Sequence, residues 1–350
     1  MKRTFLALGI IACLMIALPA FAAGDKPIRL KMTTFYMNKH SVYQYVYKKW
    51  IDEIKKRTNG RVIITYYNPN TIVPSSEVFD ATIKGRIDIG GQLLSRNPGR
   101  FPLATVTSKV PTTISTLASS VACWELFKAT PAIQAEFKGL KMFAMHQSAP
   151  TQLITKDVPV RKLEQIRGLR LACVSKDSIL VARALGANPI MVPSAELYLA
   201  LSRNMAEGVL YPIPPMRSFK IDEATKYVTF YELFSVPLWF GMNQAKWDSL
   251  PEDVKKVFEE TTGDVFTEAI GRALDEGMER DAAIMKKEGL EYIYPSAEEK
   301  MRTAAILIPA MKAGWLEELG VANCTYADPD GLYNKAIELM KKNEKLYGRK

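Results

Sequence analysis

The chain has 350 residues, 48% of them hydrophobic and 24% charged, with a formal charge of +10. That apolar fraction excludes a disordered or low-complexity protein, and the length exceeds what one core usually covers, so two domains are expected. The basic residues are scattered among Asp and Glu, as in KKWIDEIKKR, with no Arg-rich arm or RNA-binding motif; this excludes a nucleic-acid partner and leaves a modest attraction for anions.

Lys2 and Arg3 precede an apolar run from Phe5 to Leu18, and Ala20, Phe21 and Ala22 follow in an A-x-A pattern. The pattern predicts a secretory signal peptide over residues 1–22, cleaved near Ala22, and therefore export to the periplasm. The run falls short of the roughly 20 apolar residues of a bilayer span, and later segments are shorter still, so membrane work belongs to a partner. Ile10, Ile11 and Ala12 before Cys13 suggest a lipid-attachment signal, but the residues after Cys13 stay apolar through Leu18. Losing Lys2 and Arg3 takes the charge from +10 to +8, and losing Cys13 leaves Cys123, Cys173 and Cys324. Three widely spaced cysteines make neither a complete disulfide framework nor a zinc pattern; Cys123 and Cys173, in apolar runs, read as buried small side chains.

The exported chain alternates strand-like and helix-like segments, which predicts an α/β fold. Residues 28–34 alternate as a first strand. From Ser41 to Thr58, Val42, Val46, Trp50 and Ile54 recur every four residues on one helical face. Asn59-Gly60 stops that helix, and RVIITYY is strand-like. Ser75 and Ser76 are candidate caps for a helix to Lys84, ended by Gly85 before the strand RIDIGG. GLKMFAM and QLITKD read as strands, LEQIRGLRLACV as a short helix, turn and strand, and DSILVARALGANPIMV as a helix ended near Gly186 and an extended segment. A helix over 194–208 precedes VLYPIPP, whose prolines force an extended path or turn. The longest helical signal runs from Ser249-Leu250-Pro251 to about Glu288; unbroken, it would reach about 55 Å, although Gly263, Gly271 and Gly277 interrupt its pattern. Residues 297–319 and 331–346 are amphipathic and helical.

Catalytic material is sparse. The two histidines, His40 at a helix start and His146 at a strand end, stand in different contexts, and no HExxH, GxSxG, GxGxxG or P-loop pattern occurs. The sequence predicts neither an enzyme nor a cofactor or metal site. His40 reads as a capping-region residue or a ligand contact, and His146 as a strand-end residue that could line a cleft.

The segment GLRLACVSKDSILVARALGANPIMVPSAELYLALSRNMAEGVLYP resembles the periplasmic binding component of tripartite ATP-independent periplasmic (TRAP) transporters, the dicarboxylate-binding family. Its marks are the G-L-R strand, ALGANP, the E-x-Y-x-A-L helix at Glu196, Tyr198, Ala200 and Leu201, and the turn from Gly208 to Pro212. SSEVFDATIKGRIDIG, GLKMFAM and WDSLPEDVKKVFEE agree in order, so the resemblance covers nearly the whole exported chain. It implies a two-domain periplasmic binding protein fold with a ligand cleft, crossing strands and a long helix spanning both domains. Residues 26–149 with 238–278 would form domain I, and 150–237 with 279–350 domain II. The implied partners are a small-molecule solute and integral-membrane transporter subunits, with a monomer expected in solution.

The resemblance also implies a ligand site, and the chain departs from its pattern. The family's carboxylate-clamping arginine falls at Ala172, a frequent second arginine at Thr151, and a pocket Asn at Tyr211. Either another basic residue takes over, with Arg170, Lys176 and Arg217 nearest, or the ligand is a neutral or aromatic solute rather than a simple organic acid. Phe35, Tyr36, Tyr211 and Trp239 fall where the cleft should be, as stacking surfaces or as core. Glu77 matches a family position near the cleft or favours the dipole of its helix, and Gln92 lies just past IDIG. The expected role is capture of a solute, an organic acid by family, for delivery to a transporter; presenting the ligand to a signalling receptor would use the same cleft.

Overall fold

The protein is described here as a computed structural model covering residues 26–110 and 115–348; the predicted leader, 1–22, and its cleavage point near Ala22 lie outside the described residues. One sheet contains β1 (Ile28–Thr34), β2 (Val62–Tyr67), β3 (Ile89–Leu93), β4 (Leu140–Gln147) and a strand from late in the sequence, β10 (Pro237–Asn243). A second contains β5 (Thr151–Thr155), β6 (Arg170–Cys173), β7 (Asn188–Met191), β8 (Gly208–Pro212), β9 (Tyr227–Thr229) and β11 (Glu291–Ile293). Their orders are β2-β1-β3-β10-β4 and β11-β9-β5-β8-β6-β7.

Each sheet is covered on both faces. The first carries an aromatic core with Trp50, Phe143, Phe240, Phe258 and Phe266 on one side and another with Phe79, Phe101, Phe137 and Trp239 on the other. In the second sheet Ala172, Val209 and Tyr211 belong to one core, and Leu171, Cys173 and Leu210 to another. The predicted stripe Val42, Val46, Trp50 and Ile54 is buried throughout, beginning in a π-turn (Tyr43–Tyr47) and continuing in the helix Lys48–Arg57. Cys123 and Cys173 are buried free thiols, pushed up by burial to about 12 and about 11 respectively, so both stay protonated and inert.

Several predicted elements are corrected. Pro74, not Ser75 or Ser76, precedes a short 3₁₀ turn and the helix Val78–Ile83. The helix expected over 194–208 ends at Ser202. Between Ser249 and Glu288 the single long helix becomes two, Glu252–Thr261 and Asp264–Lys287, broken at Gly263, whose φ of +69° suits only glycine well. The second helix, about 36 Å long, still spans both bodies: Phe266, Ile270 and Leu274 join the first sheet's core, Met278 and Met285 the second's. Its two inner glycines mark close approaches instead of breaks. A Cβ at Gly271 would lie 2.5 Å from the Leu117 Cα, and one at Gly277 would lie 2.8 Å from the Ser41 Oγ. Gly271→Val is therefore expected to destabilise the fold by about 2–3 kcal/mol in urea titration. Gly320→Ala, in an open helical position, should be neutral or gain up to about 1 kcal/mol.

A second helix, Ala297–Val321, also spans the bodies, with Leu307 and Met311 in the second sheet's core and Trp315 and Leu319 in the first's. The C-terminal helix Pro329–Tyr347, expected with domain II, packs on the first body instead. Leu332, Tyr333, Ala336 and Met340 complete the core around Trp124 and Phe127, and Lys342 pairs with Glu125 at 2.9 Å. Their target is the helix Thr116–Lys128, which the sequence did not reveal.

Candidate functional site

Strand direction locates the site. β1, β3 and β4 run parallel to one another, because β10 is antiparallel to both β3 and β4. β4 leaves the first sheet at Gln147 and the backbone enters the second at Thr151; β8 is antiparallel to β5 and parallel to β6, which is parallel to β7. The carboxyl ends of β1, β3 and β4 thus face those of β6, β7 and β8, and ligands of open α/β sheets bind outside such ends. A return segment, 230–236, runs beside the first crossing: the Thr151 N–H donates to the Phe234 carbonyl at 2.7 Å, Leu233 N–H to Thr151 carbonyl at 2.9 Å, and Ser148 N–H to Val236 carbonyl at 2.9 Å. The bodies are thus joined by two crossings bonded to each other.

Around these ends lie buried polar groups with no partner among the described residues. Gln92 and Trp239 are cross-strand neighbours. The Gln92 Oε1 accepts the Leu93 N–H at 3.0 Å; a backbone N–H only donates, so this bond fixes the amide and leaves Nε2 as a donor without an acceptor. Across the crossing, Gln152 does the same, its Oε1 accepting the Glu232 N–H at 3.0 Å and its Nε2 left over. The Trp239 Nε1 is a third such donor. Thr33 Oγ1 and Tyr36 Oη are likewise buried and unpartnered.

Tyr36, at the end of β1, is 3% exposed, with its ring 4.5 Å from His40 and 5.9 Å from His146. Burial pulls both imidazoles down to about 4, so they are neutral at pH 7. Their tautomers are fixed: His40 Nδ1 accepts the Val42 N–H at 3.1 Å, whereas His146 Nδ1 faces the Gln147 carbonyl at 3.2 Å and must carry the proton.

This two-body cleft has known relatives. Residues 32–317 match the model of bacterial extracellular solute-binding protein family 7, DctP. The chain belongs to that family. A TRAP periplasmic solute-binding protein from Desulfovibrio salexigens, in an open complex with the C-terminus of a symmetry mate in its ligand-binding site, superposes with a TM-score of 0.81 at 28% identity, covering 92% of this chain and 98% of that one. A TRAP solute-binding protein from Rhodoferax ferrireducens, in complex with copurified benzoate, gives 0.79 at 23% identity over 91% of this protein and 99% of that one. The 2,3-diketo-L-gulonate-binding periplasmic protein YiaO of Escherichia coli K12 is 24% identical over 60% of this chain and 64% of its own, just under two thirds of the relative's length.

The predicted site residues fall in four kinds of place. Phe35, Tyr36, Gln92, Thr151, Tyr211 and Trp239 lie at or beside the facing strand ends, with Gln152 and Tyr211 paired across β5 and β8. Ala172 is fully buried between Val209 and Ile190, where the second sheet packs. Lys176 is exposed at the start of the helix Lys176–Ala184 and has no ion-pair partner among the described residues. Three charged candidates are engaged elsewhere. Arg170 starts β6, at the end away from the cleft, and pairs with Glu207 at 3.3 Å; Arg217 pairs with Glu288 at 3.2 Å, beside the end of the helix Asp264–Lys287; Glu77 pairs with Arg86 at 2.9 Å. Gln152, next to Thr151, was not among the predicted positions.

Proposed function

We propose that the exported protein binds a small organic acid in this cleft and hands it to integral-membrane transporter subunits, acting in the periplasm by binding rather than catalysis. The carrying observation is the donor set. Gln92 Nε2, Gln152 Nε2 and Trp239 Nε1 are buried N–H groups with nothing to donate to among the described residues, and a buried donor left unmade costs about 1–3 kcal/mol. A carboxylate or carbonyl oxygen satisfies such donors; a ligand rich in hydroxyl donors does so less well.

The relatives support the same class. One has 2,3-diketo-L-gulonate in its name, another holds benzoate, and the Desulfovibrio protein holds the C-terminus of a symmetry mate, a group that ends in a carboxylate. In this reading Phe35, Tyr36, Thr151, Tyr211 and Trp239 form the walls, Ala172 lies behind them and Lys176 stands at the rim. Residues 26–149 with 238–278, joined by the C-terminal helix, and 150–237 with most of the remainder close as two units. The protein works as a monomer once the leader is cleaved near Ala22.

The test is calorimetric titration and thermal shift of the mature protein against benzoate, mandelate, orotate and neutral polyols. Gln92→Leu and Gln152→Leu should each weaken acid binding about tenfold or more, while the unliganded protein loses no more than about 1–3 kcal/mol because the Leu93 and Glu232 N–H groups lose their acceptor. Saturable binding of polyols without any acid would overturn the reading.

A further inference from the structure

The donor set supplies hydrogen bonds but no net charge, and a carboxylate removed from water needs a cation beside it. Neither family arginine position provides one, since they hold Thr151 and Ala172. Arg96 differs from the other arginines near the cleft. It ends the turn Leu94–Arg96, directly after the β3 carboxyl end that faces the second sheet. It is exposed, and no carboxylate lies within ion-pair distance of it among the described residues. Its backbone is held in place: Leu94 is buried in the first body's core, the Asn97 N–H bonds to the Leu94 carbonyl at 3.1 Å, and the Asn97 Nδ2 donates to the Ser76 carbonyl at 2.9 Å.

Tyr211 stands one residue before the carboxyl end of β8, which faces that of β3 from the other body. Burial raises the Tyr211 hydroxyl above the ordinary phenol range, and a hydrogen bond with the Ser194 side chain and the positive charge of Arg96 both act against that rise. Arg96, just past the end of β3, and Tyr211, at the end of β8, thus stand on facing strand ends, with Tyr211 steadied by an edge contact to Phe219 at 6.0 Å. We infer that Arg96 supplies the counter-charge for the ligand carboxylate from the first domain, with the Tyr211 hydroxyl as the facing hydrogen-bond donor. The inference rests on the organic-acid reading. It moves the charged contact from the second domain, where the family clamp would stand, to the opposite wall, so that the carboxylate bridges the cleft and favours closure. A planar fork suits this contact better than the single ammonium of Lys176.

The experiment compares benzoate and mandelate with benzamide and mandelamide, uncharged analogues of similar shape, on the mature wild-type protein and on Arg96→Met, Arg96→Lys and Lys176→Met. Wild type should prefer each acid. Arg96→Met should keep the unliganded melting temperature, lose at least tenfold in acid affinity and lose the preference over the amide; Arg96→Lys should recover part of both. An Arg96→Met protein that keeps its affinity and preference, or a preference that vanishes in Lys176→Met instead, overturns the assignment while the organic-acid reading stands. A wild-type protein that takes the amides as well as the acids, or none of the acids, removes that reading and this inference with it.

Discussion

Lys109→Met is expected to destabilise the protein by about 3–5 kcal/mol, the range for removing one partner of a buried ion pair. The Lys109 side chain is 2% exposed and pairs with Asp177 and, at 2.8 Å, with Glu318. Burial alone would lower the lysine, but the two carboxylates outweigh it and hold the ammonium above its ordinary range. The pair joins the two bodies: Lys109 is fixed in the first, where Tyr333 Oη donates to its carbonyl at 2.8 Å, whereas Asp177 opens the helix Lys176–Ala184 on the second sheet. Removing the ammonium leaves Asp177, 15% exposed, with only the Ser108 hydroxyl at 3.3 Å. Asp177→Asn should cost less, because Lys109 keeps Glu318. Thermal and urea midpoints of the two variants check this order; a Lys109→Met midpoint within the small range of surface substitutions would show that the pair contributes nothing net.

That pair was invisible in the sequence, and the reason is general to this protein. Local signals were legible. The stripe Val42, Val46, Trp50 and Ile54, the strand around GLKMFAM and the turn at Gly186 depend on residues a few positions apart, and all are present. Distant partners were not. In the helix Thr116–Lys128, ten of thirteen residues are buried, so no polar face alternates with an apolar one and the 3.6-residue period vanishes. The C-terminal helix showed a clear apolar face, but periodicity says only that a face is covered, not by what. Gly263, Gly271 and Gly277 looked alike as interruptions. Only backbone geometry separates the first, which breaks a helix, from the others, which let Leu117 and Ser41 approach.

The site was legible in outline. Family resemblance put Gln92, Thr151, Tyr211 and Trp239 near the cleft because strand ends keep their order along the sequence. It could not show which basic residues are already engaged. Arg170 shares strand parity with Ala172, yet parity fixes a face and not a position along it, and Arg170 sits exposed at the end of β6 away from the cleft beside Glu207. Gln152 was hidden for a different reason. Its role depends on its carbonyl being taken by the Glu232 N–H from eighty residues later, which turns an ambivalent amide into a donor.

Stability should fall as the pH drops from about 6.5 to 4, because His40 and His146 are held neutral by burial with folded values near 4 against 6.5 unfolded. Between those values the unfolded state binds more protons than the folded one, so the unfolding free energy decreases with falling pH; above 6.5 these groups contribute no slope. Glu136 opposes them. Burial raises its carboxyl to about 7, against hydrogen bonds from the Leu103 and Ala104 N–H groups, so the folded form takes up its proton first and gains stability as the pH falls from 7 toward 4.5. Two protons against one leave a net loss of about 1.4 kcal/mol per pH unit. Melting temperatures across this range should therefore decline in wild type, decline more steeply in Glu136→Gln and flatten in His146→Gln; a wild-type profile that is level or rises toward pH 4 would contradict the burial of the imidazoles. Saturating benzoate should raise the curve most at its neutral end and lose part of that gain toward pH 4, where the ligand carboxylate takes up a proton. His146 is 1% exposed, its Nδ1 is committed to the Gln147 carbonyl and its ring stacks on that of Tyr36 at 5.9 Å, so a charge placed on it would have no partner in this core.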